Sequence, residues 1–202
     1  KESCMAFLDA IDPSAKVIDS VNTIVNDNGH LTGFNTDYIA VKSLITSHQL
    51  DTSARVMIQG SGGMGKAVIA AFRDAGFRDV IIAARNEANG TALAKQYGFQ
   101  WQPDADGIDI LVNVTPIGMA GGKESEQLAF SEAMVARASV VFDVVALPPE
   151  TPVIQLAQRL GKKTISGAEV IALQAVEQFV MYTGVRPDDA LVAEAAAFAR
   201  AG

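Results

Sequence analysis

Residues 55–66, Arg55-Val56-Met57-Ile58-Gln59-Gly60-Ser61-Gly62-Gly63-Met64-Gly65-Lys66, decide the fold. A short apolar run leads into Gly60, Gly62 and Gly65, which fit G-x-G-x-x-G, and Lys66 to Ala75 has helical periodicity ended by Gly76. In a strand-loop-helix unit the first glycine permits a tight turn and the second lets the backbone approach a pyrophosphate. The third lets helix and strand pack closely. Phosphates then sit over the helix N-terminus, where unpaired N–H groups and the helix dipole favour an anion. Gly60, Ser61, Gly62, Gly63, Met64 and Gly65 are therefore the candidate dinucleotide-binding loop. Without the flanking strand and helix, the same glycines would mark only a turn.

Downstream, apolar runs recur between helical stretches: Asp79–Ala83, Ile108–Asn113, Ser139–Asp143 and Lys163–Ile165. Strands that are apolar throughout and alternate with helices imply a parallel sheet covered on both faces. The expected fold class is α/β, a Rossmann-type doubly wound parallel sheet over residues 51–167. Pro148-Pro149-Glu150-Thr151-Pro152 marks a loop within it. The tip of the second strand chooses between the two nicotinamide dinucleotides. A carboxylate there would hold a ribose 2′-hydroxyl, and an arginine accommodates a 2′-phosphate. This strand ends Ala83-Ala84-Arg85-Asn86, with Glu87 as the rival just beyond. Arg85 predicts NADP.

Upstream, Val21–Val25 alternates like a strand, Asn26-Asp27-Asn28-Gly29 is a turn and His30–Phe34 is the returning strand. Asn35-Thr36-Asp37 supplies capping residues for a helix over Tyr38–Ile45. A long helix is expected over 168–184, and an alanine-rich one from Pro187 to Arg200.

Composition narrows the function classes. The 202 residues are 49% apolar and 19% charged with net charge −7, so a sizeable core forms, and the acidic balance argues against nucleic acid and anionic membranes. No apolar run approaches the ~20 residues of a membrane span. Cys4 is the lone cysteine, and His30 and His48 are widely spaced, so neither a disulfide framework nor a metal site is expected. The expectation is a cytoplasmic protein acting on a small molecule, its oligomeric state open. Neither histidine has a setting suited to acid/base catalysis, which leaves lysine or a carboxylate to carry a proton.

The remaining motifs resemble one family. Lys1-Glu2, Val21-Asn22-Thr23 and Gly33-Phe34-Asn35-Thr36-Asp37 are similar to the first domain of shikimate dehydrogenases. The likeness continues through the glycine loop, Arg85 and Asn113-Val114-Thr115-Pro116-Ile117-Gly118-Met119. It runs on to Pro149-Glu150-Thr151-Pro152, Gln174-Ala175 and Phe179–Gly184, so it covers essentially the whole chain. It implies a two-domain enzyme that reversibly oxidises shikimate to 3-dehydroshikimate with NADP. By the resemblance Lys1 is the catalytic lysine and Asp37 its carboxylate partner, while Asn22 and Gln174 bind substrate hydroxyls. Asn113, Thr115 and Met119 belong to the segment beneath the nicotinamide. A neighbouring carboxylate keeps lysine charged, so Lys1 would mainly polarise the substrate oxygen while Asp37 shares the proton. Residues 1–50, with the helices of 168–202, would form part of an α/β substrate domain. The family has a further βα portion ahead of that lysine, and the chain as given begins at it.

Two positions depart from the family's pattern. Val145 stands where a tyrosine is usual, and Gly167-Ala168-Glu169-Val170 replaces Gly-Leu-Gly-Met. In the family these positions, Val145 and Gly167 among them, face the nicotinamide and the substrate. The expectation is a shikimate dehydrogenase-like paralogue, with quinate or another polyhydroxylated ring acid as an alternative substrate. A methylenetetrahydrofolate-type dehydrogenase shares the architecture, but Asn35-Thr36-Asp37 argues against it. A non-catalytic NADP-binding sensor or scaffold is the reading from a different class.

Overall fold

A computed structural model describes residues 3–201, and the chain divides into two compact units. One comprises the described residues up to Ala40 and those from Ile171 onward; the other is Val41–Val170.

The first unit begins with a 3-10 turn at Met5–Phe7, then β1 (Ala10–Ile11) and α1 (Pro13–Lys16). Asp12 caps α1 by accepting from Ser14 N–H at 2.8 Å, with Pro13 at the first helical position. The hairpin of β2 (Thr23–Asp27) and β3 (His30–Phe34) is antiparallel and closes through Asn28-Gly29. Asn28 sits at φ 51° and Gly29 at φ 94°, the two-residue turn whose twist suits flanking strands. β1 adds to the other edge of β3 in parallel, a two-residue strand too short for any periodicity to reveal. The helix α2 (Thr36–Ser47) starts in this unit, with Asn35 Oδ1 accepting from Tyr38 N–H at 3.0 Å.

The second unit is a six-stranded sheet. Its elements are β4 (Val56–Gln59), α3 (Gly63–Asp74), β5 (Val80–Ala83), α4 (Glu87–Tyr97), β6 (Gln100–Trp101), β7 (Ile110–Asn113), α5 (Glu132–Arg137), β8 (Val140–Asp143), α6 (Pro152–Arg159) and β9 (Lys163–Ile165). Every pairing is parallel, in the order β6-β5-β4-β7-β8-β9. β4, β5, β7 and β8 are each buried on both faces apart from Gln59, which is why they read as unbroken apolar runs. Met57, Ile81, Leu111 and Val141 from the sheet pack with Val135 of α5 and Ile154 of α6. Ala67 to Phe72 of α3 are buried as well, with the Phe72 and Phe77 rings 4.8 Å apart.

Three differences from the sequence expectation have local causes. α3 starts at Gly63 and not at Lys66, so the second half of the glycine loop is already helix. The short edge strand β6 has no pattern long enough to announce it. The proline-rich loop runs directly into α6, where Pro152 takes the first helical position because its missing N–H is not needed there. Two last helices follow, α7 (Gly167–Thr183), which starts in the second unit and ends in the first, and α8 (Asp189–Ala201).

Candidate functional site

In an open parallel sheet, a crevice forms beyond the carboxyl ends of the strands where strand order reverses. Here β4 is that point, pairing with β5 on one side and β7 on the other. A cavity of about 730 Å³ opens there, within the range of small-molecule sites. Its walls are Gly60, Ser61 and Gly62 after β4, Ala84 to Glu87 after β5, and Val114 to Ile117 after β7, with Trp101 and Pro103 beside them.

The loop geometry fits a phosphate group. Gly60 has φ +124°, and a Cβ there would lie 2.8 Å from Val114 Cγ2. At Gly62 and Gly63 an added Cβ would meet nothing within 4 Å, so the backbone faces open space. Gly62 is the N-cap of α3 and has no side chain to satisfy the helix's first N–H groups, which leaves them for an anion. Gly63, Met64 and Gly65 form the first turn of that helix.

Arg85 stands on the crevice wall, its side chain 74% exposed. Its two terminal nitrogens donate to the two carboxylate oxygens of Glu124, each at 3.3 Å. Glu124 was not legible as a site residue, because it comes 39 positions later on another loop. Trp101 on the crevice wall was likewise hidden on a two-residue strand.

Beneath the crevice lies a buried polar network. Asn113 donates to Asp143 Oδ1 at 2.9 Å and to Ile117 O at 3.3 Å, and its own Oδ1 accepts from Thr115 N–H and Oγ1–H at 3.0 and 2.6 Å. Its side chain therefore shapes the Thr115–Ile117 wall from below and is itself fully buried. Asp143 also accepts from Thr151 Oγ1 at 2.6 Å and from Val145 N–H at 3.0 Å. Burial pushes its carboxyl up to about 6, against the three hydrogen bonds, which pull it down. Met119, expected in the cofactor segment, is 42% exposed and stands outside the crevice wall.

Val145 is buried. Gly167 starts α7 so close to the chain after β8 that a Cβ would lie 2.3 Å from Val145 O and 2.5 Å from Val144 O. Glu169 is occupied by the scaffold. Oε1 accepts from Ser166 N–H at 2.9 Å, the return half of a capping box, and Oε2 lies 2.9 Å from His48 Nε2.

The first unit holds a second polar cluster. Asn22 Oδ1 accepts from Thr36 N–H at 2.9 Å and from the hydroxyls of Thr23 and Thr36 at 3.0 and 3.2 Å. Gln174 donates its amide to Asp37 Oδ1. Gln178 donates to Thr23 Oγ1 at 3.2 Å. Three of the four residues expected to serve substrate, Asn22, Asp37 and Gln174, thus come together here. Lys1 lies outside the described residues. Gln178 was missed, although its place one turn after Gln174 on the same helix puts it on the same face.

A doubly wound parallel sheet with a phosphate-competent glycine loop at its reversal point defines the Rossmann class. Comparison with known proteins is specific beyond that. A family model for shikimate / quinate 5-dehydrogenase matches residues 44–113. A shikimate dehydrogenase-like protein of Haemophilus influenzae is 59% identical over 202 residues, covering 99% of this chain and 74% of that one. The solved structure of a shikimate 5-dehydrogenase-like protein, also 59% identical, superposes with TM-score 0.96 over 99% of this chain and 75% of that one. The shikimate 5-dehydrogenase of Thermus thermophilus, solved with NADP(H) and shikimate, is 30% identical with TM-score 0.86 over 98% of this chain and 76% of that one. The chain belongs to the shikimate dehydrogenase family, oxidoreductases of the shikimate/quinate type. Among the described residues no helix is long and apolar enough to cross a membrane.

Proposed function

We propose that this protein is an NADP-dependent dehydrogenase that reversibly oxidises the ring hydroxyl of shikimate, or of a close relative such as quinate, to a ketone. The observation that carries this reading is the convergence of Asn22, Asp37 and Gln174 in one polar cluster. A bound nicotinamide supplies the hydride acceptor, and the residues of the chain supply recognition and proton handling. Gln174 offers its amide carbonyl as an acceptor, and Asn22, whose Oδ1 is already taken by Thr23 and Thr36, offers its amide N–H donors to ring hydroxyls. Asp37 offers the carboxylate toward which a hydroxyl proton moves as the alcohol carbon loses hydride, with Lys1 the matching cation by family resemblance. In the other unit, Gly60 to Gly65 would hold the pyrophosphate and Arg85 the 2′-phosphate, with Thr115 on the crevice wall. The relative solved with NADP(H) and shikimate supports the same pairing of cofactor and substrate.

A second reading, a cofactor-binding sensor, draws on Val145, where a buried apolar side chain stands in place of the family's usual tyrosine. Steady-state assays with shikimate and quinate, each with NADP and NAD, decide between the two. NADP-linked oxidation of one ring acid is the expected result. NADP binding with no turnover of either acid would overturn this proposal and favour the sensor.

A further inference from the structure

A guanidinium fork that reads a phosphate is already filled here. Arg85 presents both terminal nitrogens to both oxygens of Glu124 at 3.3 Å, the two-point geometry with which it would take a phosphate. The Glu124 carboxylate does not reach Arg85 by a loose excursion, since its backbone is pinned. Its carbonyl accepts from Gly118 N–H at 2.9 Å and from Gln127 N–H at 3.1 Å. Gly118 directly follows the Thr115–Ile117 wall of the crevice, so the carboxylate is carried by the same loop that borders the cofactor space. Glu124 is the less exposed partner, at 28% against 74% for Arg85.

We propose that Glu124 is an internal competitor for the cofactor's 2′-phosphate, setting how strongly the crevice prefers NADP over NAD. The inference rests on the reading of Arg85 as the 2′-phosphate ligand. A phosphate and a carboxylate cannot share one fork, because each needs both parallel donors and the two anions repel. NADP must therefore displace Glu124, whereas NAD, with a neutral 2′-hydroxyl, leaves the pair in place. Apparent NADP affinity is reduced by the fraction of molecules in which the fork is occupied. For an exposed ion pair that reduction is about two- to fivefold. It shrinks as salt screens the pair.

Calorimetric titration with NADP, NAD, adenosine 2′,5′-bisphosphate and 5′-AMP tests this on Glu124→Gln, Glu87→Gln and Arg85→Ala. The expected result is that Glu124→Gln tightens NADP and the bisphosphate about two- to fivefold and leaves NAD and AMP unchanged. Glu87→Gln, which removes another carboxylate from the crevice wall, is expected to give a smaller gain. Equal tightening by the two glutamine variants would reduce the effect to general charge and overturn the proposal. So would weaker NADP binding in Glu124→Gln, which would make Glu124 a positioning residue for Arg85. If Arg85→Ala weakens NADP but Glu124→Gln changes nothing, competition alone is refuted and the cofactor assignment stands. If Arg85→Ala leaves NADP binding intact, the cofactor assignment fails and the competition fails with it.

Discussion

The buried amide of Asn113 donates to the buried carboxylate of Asp143 at 2.9 Å, and the two residues are direct register partners at the ends of β7 and β8. This one contact ties two strand ends beneath the crevice and places a titratable group in the interior. Burial holds the Asp143 carboxyl at about 6 in the folded protein against its ordinary 3.8. The folded state thus binds this proton more tightly than the unfolded chain. The stability this group contributes is present in full below 3.8 and is lost as pH rises through about 6. Asp143→Asn removes that dependence. Between about pH 4 and pH 7 the variant's stability relative to the parent should rise by about 2 kcal/mol. Urea denaturation at the two pH values measures it, and a constant difference would show that Asp143 does not titrate in this range.

Asn113 is expected to act on the cofactor without touching it. Asn113→Leu leaves Asp143 and Thr115 short of partners and should destabilise the fold by about 2–3 kcal/mol. Thr115→Val removes only the hydroxyl, which donates to Asn113 at 2.6 Å and accepts from Ile117 N–H at 3.2 Å. Its stability loss should be about 1 kcal/mol. Both variants should bind NADP more weakly in calorimetry, because the Thr115–Ile117 wall loses its internal bracing. Full affinity in Asn113→Leu would mean that the wall holds its shape unaided.

Gly167→Ala tests a packing constraint. The added methyl would meet the carbonyl oxygens of Val145 and Val144 at 2.3 and 2.5 Å, and backbone cannot swing aside as a side chain does. The expected cost is about 1–3 kcal/mol, seen as a lowered thermal midpoint. A neutral substitution would require the start of α7 to shift freely.

Trp101 is the only tryptophan in the chain, and it lines the crevice. Saturating NADPH should quench its emission, and the quench should follow the same binding curve as calorimetry. Unchanged emission at saturation would place the cofactor away from β6.

Asp37→Asn keeps the shape of the polar cluster and removes the carboxylate charge. If Asp37 handles the proton, turnover should fall by about 10²–10⁴ while KM for the ring acid changes far less. Gln174→Ala should do the reverse, raising KM more than it lowers kcat. Parallel losses in both parameters for Asp37→Asn would assign it to binding.

The sequence was most legible where structure is a local matter. Asn28-Gly29 makes its turn and Asn35 caps α2 through contacts within three residues. The glycine loop after an apolar run likewise specified strand, turn and helix from adjacent residues. Short strands escaped it, because Ala10–Ile11 and Gln100–Trp101 are too brief to carry a period.

By itself, then, the sequence determined the parallel sheet and the glycine loop after its first strand, because backbone dihedrals, caps and hydrophobic periods act between near neighbours. Arg85 became a candidate from its place at the tip of the next strand, whereas Asn22, Asp37 and Gln174 became candidates only through the family resemblance. Only the tertiary structure decided who holds whom. Glu124 fills the Arg85 fork from 39 residues away, Asp143 meets Asn113 across 30, His48 meets Glu169 across 121 and Gln174 meets Asp37 across 137. Such pairs depend on strand order, register and helix placement, and no local rule relates two polar side chains that chain folding alone brings within hydrogen-bond distance.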